Sequence, residues 1–199
     1  MSMRLFAAVL PPEQAADELS RAVVGLRDGS RDLRWTDRDG WHFTLAFMGE
    51  VEEALLPELT ERLDQAAHRT EPFPLRIQSA GQFAGAALWA GAAGGVDELR
   101  IFAERVNATV RRAGVPLDQH HPYQAHLTLA RSGARPRMDL SPYVKALDGF
   151  VGTPWEVADL ALVRSNLPVD GVPAEQPRYE VIARSPLGGP APGHPKPGR

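Results

Sequence analysis

Two short stretches of this chain carry residues that could do chemistry, and they carry them in the same order. Trp41-His42-Phe43-Thr44-Leu45-Ala46-Phe47 and Ala125-His126-Leu127-Thr128-Leu129-Ala130 share the pattern His-x-Thr-Leu-Ala, 84 positions apart in 199 residues. Read as a regular strand, the first puts His42, Thr44 and Ala46 on one face and Phe43, Leu45 and Phe47 on an apolar core face. A lone histidine in an apolar strand is usually a structural residue satisfied by backbone. A histidine and a hydroxyl that recur together, with the same alternation, are hard to attribute to packing.

Two imidazoles facing one another suit acid–base catalysis near neutral pH, because histidine titrates there. The neutral ring can take a proton from water while the protonated ring gives one to a leaving oxygen, each role contributing about 10²–10⁴-fold. Thr44 and Thr128 can donate to oxygens that gain negative charge, as on a phosphoryl group. No carboxylate pair accompanies either motif, so the reading is a reaction without a metal or other cofactor, on a phosphodiester and preferably a strained cyclic one.

Other candidates are secondary. His120 and His121 precede the second motif and with His126 could form a metal site, but Asp118 is the only nearby carboxylate. Phe6, Trp35 and Tyr123 are aromatic residues that could stack a base, although aromatic residues in strands are usually core. Arg131 has the opposite parity to His126 and Thr128. It reaches the same site only if the strand ends or bulges there, as Ser132-Gly133 allows.

The elements that must position these groups can be read from periodicity. Strands are expected at Met3–Leu10, Leu33–Thr36, around His42, at Phe73–Gln82 and Ala86–Ala90, around His126, and at Glu156–Ser165 and Arg178–Arg184. Helices are expected from Pro12 to Arg27, Glu52 to Arg69 and Val96 to Ala113, with a short one at Pro142–Leu147. A helix of some 18 residues precedes each His-x-Thr strand, which reads as an internal repeat. The expected fold is α+β and bilobal: two pseudo-twofold-related lobes of mostly antiparallel strands, with outer helices and a central cleft. One domain of two intertwined lobes would span residues 1–187, and the Pro/Gly-rich tail, 188–199, should be disordered.

Composition narrows the classes. There is no cysteine, so thiolate metal sites and cysteine nucleophiles are excluded. The net charge of −3 argues against coating a long nucleic acid; a nucleic-acid substrate would be gripped at one or two phosphates. The apolar run Leu5–Leu10 is stopped by Pro11-Pro12, too short for a signal or a membrane span. A cytoplasmic monomer with no membrane or protein partner is the default expectation.

Arg4-Leu5-Phe6-Ala7-Ala8, Arg34-Trp35, the His42 stretch continued through Met48-Gly49-Glu50, and His126-Leu127-Thr128-Leu129-Ala130-Arg131 together resemble the two-histidine phosphoesterase superfamily. Within it the chain is most similar to the RNA 2′,3′-cyclic 3′-phosphodiesterases, also described as 2′-5′ RNA ligase-like, including the late stretches Leu162–Ser165 and Tyr179–Ile182. The resemblance implies hydrolysis of a 2′,3′-cyclic phosphate, on an RNA 3′ end or a small cyclic nucleotide, to a 2′-phosphate. It also implies that His42 is the general acid and His126 the general base, that Thr44 and Thr128 hold phosphate oxygens, and that Arg131 adds positive charge. Reverse joining of ends through a 2′-5′ bond follows from reversibility. The competing readings are a catalytically silent nucleotide or RNA-end binding module of the same fold, and a histidine-ligated metallohydrolase.

Overall fold

The computed structural model describes residues 1–30, 32–117, 122–133, 138–167 and 177–189. The chain opens with strand β1 (Ser2–Val9), and Pro12 then leads into helix α1 (Glu13–Asp28), which buries Ala15, Ala16, Leu19 and Val23 at helical spacing. A short strand β2 (Leu33–Trp35) and a 3₁₀ turn (Arg38–Gly40) lead to β3 (Phe43–Glu52). A second 3₁₀ turn (Glu53–Leu55) separates β3 from α2 (Leu56–His68), so this helix starts later than its periodicity implies, with Pro57 in its first turn. Then come β4 (Phe73–Phe83), β5 (Ala87–Gly94) and α3 (Val96–Arg112). The described chain closes with β6 (Leu127–Ser132), α4 (Ser141–Leu147), β7 (Trp155–Val157), β8 (Asp159–Asn166) and β9 (Arg178–Pro186).

The strands form two antiparallel sheets, ordered β3-β1-β8-β9 and β2-β6-β5-β4-β7. The repeat is visible in this order: the strand carrying His-x-Thr lies beside the strand that precedes a long helix in both, β3 beside β1 and β6 beside β5. The halves are interlocked. β1 takes the late strand β8 as its other neighbour, while the early strand β2 adds to the edge of the second sheet beside β6. Helix α3 packs on β3 of the first sheet, and α1 and α4 pack on β4 of the second. One apolar core runs through both halves, with Phe43, Leu45 and Phe102 fully buried.

Two expectations are corrected. The single strand Glu156–Ser165 is two: β7 pairs with β4 and β8 with β1, so the chain changes sheet at Ala158 without breaking its apolar alternation. Phe47 is not on the core face. Ala7 pairs with Ala46 and Ala8 with Thr44, which leaves Leu45 as the extra residue of a β-bulge. The bulge resets the parity, Leu45 and Ala46 are both buried, and Phe47 emerges 45% exposed.

Among the described residues no helix is long and apolar enough to cross a membrane. The tail beyond Gly189, His120, His121 and Asp118 lie outside the described residues.

Candidate active site

Each histidine sits one residue before the strand that follows it, at the end of a connection that fixes its ring. His42 Nδ1 donates to the carbonyl oxygen of Gly40 at 2.7 Å, and His126 Nδ1 donates to that of Gln124 at 2.8 Å. A carbonyl can only accept, so Nδ1 carries a proton in both rings and Nε2 is left as the atom that gains or loses one. The two sites repeat the same bond to the residue two positions earlier.

The bulge repeats as well. In the second sheet Leu88 pairs with Ala130 and Trp89 with Thr128, leaving Leu129 as the extra residue of β6. Both bulged residues have carbonyls supplied with a donor from outside their strand pair. Asn107 Nδ2 of α3 donates to Leu45 O at 2.8 Å, and the backbone N–H of Thr36 donates to Leu129 O at 2.8 Å. The Leu129 bulge turns Arg131 toward the side of His126 and Thr128, which answers its parity.

His42, Thr44, His126, Thr128 and Arg131 all line one cleft of about 270 Å³. Counting Phe6, the geometry thus brings together six of the eight residues singled out from the sequence, in two sets contributed by the two sheets. Phe6 also lines the cleft, but it is 3% exposed and lies flat against the His42 ring, centroids 4.5 Å apart. Its ring supports the histidine, and no face of it is open to a base. Trp35 and Tyr123 do not line the cleft. Trp35 is opposite Ala130 on the core side of the β2–β6 pair, 6% exposed, with its indole N–H donating to Ser30 Oγ at 2.8 Å. Tyr123 packs against the main core, and burial raises its phenol above the usual range.

Several lining residues were not among the predicted ones. Phe47, with the Arg4 guanidinium 4.7 Å from its ring centroid, forms part of the wall, as do Thr36, Ser165 and Tyr179. Tyr179 meets both Phe6 and His42 edge-on, at 5.3 and 5.4 Å between centroids. His126 has its own aromatic neighbours, Phe83 edge-on at 4.9 Å and Trp89 at 6.4 Å. Aligning the two motifs would have found Phe47, since it and Arg131 both stand five residues after a histidine.

Electrostatically the cleft favours an anion. Burial under Phe6 and Tyr179 is the main cause that pulls the His42 pKa down to about 4, and the charges of His126 and Arg131 act in the same direction. The bond to Gly40 opposes this and does not outweigh it. His42 is therefore held neutral at pH 7, beside the positive charge of Arg131, which forms no ion pair among the described residues. No three His, Asp or Glu side chains converge on one point among the described residues.

Comparison with known proteins finds relatives over most of the chain. The family described as LigT-like phosphoesterase matches over residues 9–89 and 91–173. A protein of Aeropyrum pernix named RNA 2′,3′-cyclic phosphodiesterase is 33% identical, over 77% of this chain and 88% of its own length. One of Thermus thermophilus with the same name is 31% identical, over 94% of this chain and 91% of its own. Among solved structures, one from Thermus thermophilus superposes with a TM-score of 0.75 at 30% identity, covering 94% of this chain and 99% of that one. E. coli LigT complexed with 3′-AMP shares the fold, with a TM-score of 0.71 at 22% identity and coverage of 94% and 99%.

Proposed function

The chain belongs to the LigT-like phosphoesterase family, and on that premise we propose that it hydrolyses 2′,3′-cyclic phosphodiesters, on RNA 3′ ends or small cyclic nucleotides, to 2′-phosphates. The observation that carries the reading is the paired imidazoles, each held through Nδ1 so that Nε2 is left for proton transfer, and both lining one cleft together with the threonine of their own motif.

In the proposed reaction Nε2 of neutral His126 takes a proton from water as its oxygen bonds to phosphorus. The bond from phosphorus to the 3′-oxygen breaks, and Nε2–H of protonated His42 gives its proton to that oxygen. The products are a 2′-phosphate and a 3′-hydroxyl, and the two rings have exchanged protonation, which solvent resets. Thr44 and Thr128 donate to the phosphoryl oxygens, and Arg131 balances the charge that accumulates there.

The acid role requires His42 to carry a proton that it lacks in the free protein at pH 7. The substrate phosphate supplies the reason to take one up, because an anion between the histidines and Arg131 reverses the local field. Binding and protonation are then one event. Joining of ends is the same displacement with the 5′-hydroxyl of a second strand in place of water. His126 takes its proton as its oxygen bonds to the cyclic phosphorus, the bond to the 3′-oxygen breaks, and His42 protonates that oxygen. A 2′-5′ phosphodiester with a free 3′-hydroxyl results. Residues 1–187 act as one catalytic unit and a monomer, the tail 188–199 takes no part, and neither a metal nor another cofactor is needed.

The test is incubation with an oligoribonucleotide ending in a 2′,3′-cyclic phosphate, in EDTA. Conversion to a 2′-phosphate end supports the reading. Tight binding of the product end without turnover points to a silent binding module, and activity restored only by zinc points to a metallohydrolase.

A further inference from the structure

Arg34 is the residue on β2 directly opposite Arg131 on β6. Partners in an antiparallel pair project from the same face, so the two guanidiniums leave the sheet side by side. Arg34 lies along β6 over Gly133, its Nε 3.7 Å from where a Cβ of that glycine would stand. Both arginines are exposed, and neither forms an ion pair among the described residues. Asp32, the acid two positions before Arg34 on the same face, is exposed and forms none either.

Like charges directly opposite one another weaken a strand pair, and this pair closes the edge of its sheet, where a neutral or acidic partner would cost nothing. The arrangement has a use if an anion lies across it. Arg131 reaches the cleft and bears on both His42 and Tyr179. Thr36, the residue just past β2 and two after Arg34, lines the cleft as well. Arg131 at the cleft and Arg34 opposite it on the neighbouring strand, just outside the cleft lining, thus put two positive charges on one face of the sheet.

We propose that Arg34, beside Arg131, binds the internucleotide phosphate that precedes the terminal nucleotide of an RNA strand. The site then favours a polynucleotide end over a free cyclic nucleotide. This rests on the proposed reaction, since it names the substrate class of the same cleft. It also fits a chain with a net charge of −3, which can grip RNA only locally.

The test compares two ligands that differ by one phosphate: a nucleoside 2′-phosphate, and a dinucleotide ending in a 2′-phosphate. Arg34→Gln is expected to weaken the dinucleotide about tenfold and leave the mononucleotide unchanged. The log–log salt slope for the dinucleotide should fall by about 0.7, the value for one lost single-strand contact. Arg34→Lys should keep most of the slope. Hydrolysis of the corresponding cyclic forms should follow, through KM rather than kcat. Equal losses on both ligands, or no loss on either, overturn the proposal. Because the binding arm uses products, dinucleotide selectivity through Arg34 in a protein without turnover sinks the reaction and keeps the subsite. Turnover of both cyclic substrates that Arg34→Gln leaves untouched does the reverse.

Discussion

Phe47 and Arg131 occupy the same place in the two halves of this protein. Each follows a buried Leu-Ala pair whose leucine is a β-bulge, and each is turned by that bulge onto the face that carries the histidine and threonine. The repeat thus uses one backbone device to present an aromatic ring from one side and a cation from the other. If the cation balances phosphate charge, Arg131→Gln should lower kcat/KM by about 10²-fold, the scale of losing one donor to a developing oxyanion. Arg131→Lys should recover part of this, limited by the loss of the two-pronged geometry. A change of less than threefold in Arg131→Gln would place the guanidinium outside the reaction.

The depressed basicity of His42 makes a stability prediction. Its folded-state pKa, about 4, lies below the ordinary value of 6.5, so between these values the unfolded chain binds more protons than the folded one. Stability contributed by the neutral ring is complete above pH 6.5 and lost as pH falls toward 4. The loss amounts to at most about 3 kcal/mol. Urea unfolding from pH 7 to 4 should show His42→Asn less acid-sensitive than the wild type. Parallel curves for the two proteins count against a partly buried, neutral imidazole.

Those two residues also mark how far the sequence could be read. His42, Thr44, His126 and Thr128 were legible because period-two alternation holds up to each bulge. Beyond it the count fails, which misplaced Phe47 on the core face and left Arg131 dependent on an irregularity that no residue type announces. Trp35 and Tyr123 drew attention as aromatic residues near a motif, yet only strand pairing across β2 and β6 tells that Trp35 points inward. The α+β class and the repeat were likewise visible in element order. The change of sheet at Ala158 was not, because both strands share one apolar pattern. Arg4, Thr36 and Tyr179 reach the cleft through long-range pairing; Arg4 and Tyr179 stand in stretches that carry the family resemblance, but no local pattern assigned any of the three to the site.

Asn107 provides a test of the bulge itself. It is buried, and its amide N–H donates both to Leu45 O and, at 2.6 Å, to Ala103 O of its own helix. Asn107→Leu keeps the volume and leaves the bulge carbonyl without this donor, at a cost of about 1–3 kcal/mol. Chemical unfolding should register that loss. Activity should fall further than the residual folded fraction explains, because Thr44 and Phe47 flank the bulge. A variant as stable as the wild type would mean that the ladder alone holds Leu45.

On the opposite side, Gly81 leaves room for the Trp89 indole, whose ring occupies the space where a Cβ would stand. Trp89 in turn packs against Phe83 and His126. Gly81→Ala must push the indole away, with an overpacking cost of about 1–3 kcal/mol. The expected signature is a lowered Tm together with a changed Trp fluorescence and reduced kcat. An unchanged emission spectrum would show that the indole has room to spare.

If the two motifs are halves of one catalytic site, single-turnover hydrolysis of a 2′,3′-cyclic-phosphate-ended oligoribonucleotide in EDTA by four proteins will show it. These are the wild type, His42→Ala, His126→Ala and the double variant, each checked for folding. Each single variant should lose about 10²–10⁴-fold, and the double should be little slower than the worse single, because groups acting as a unit are not additive. Losses that simply multiply, or either single variant retaining activity within tenfold of the wild type, would contradict it.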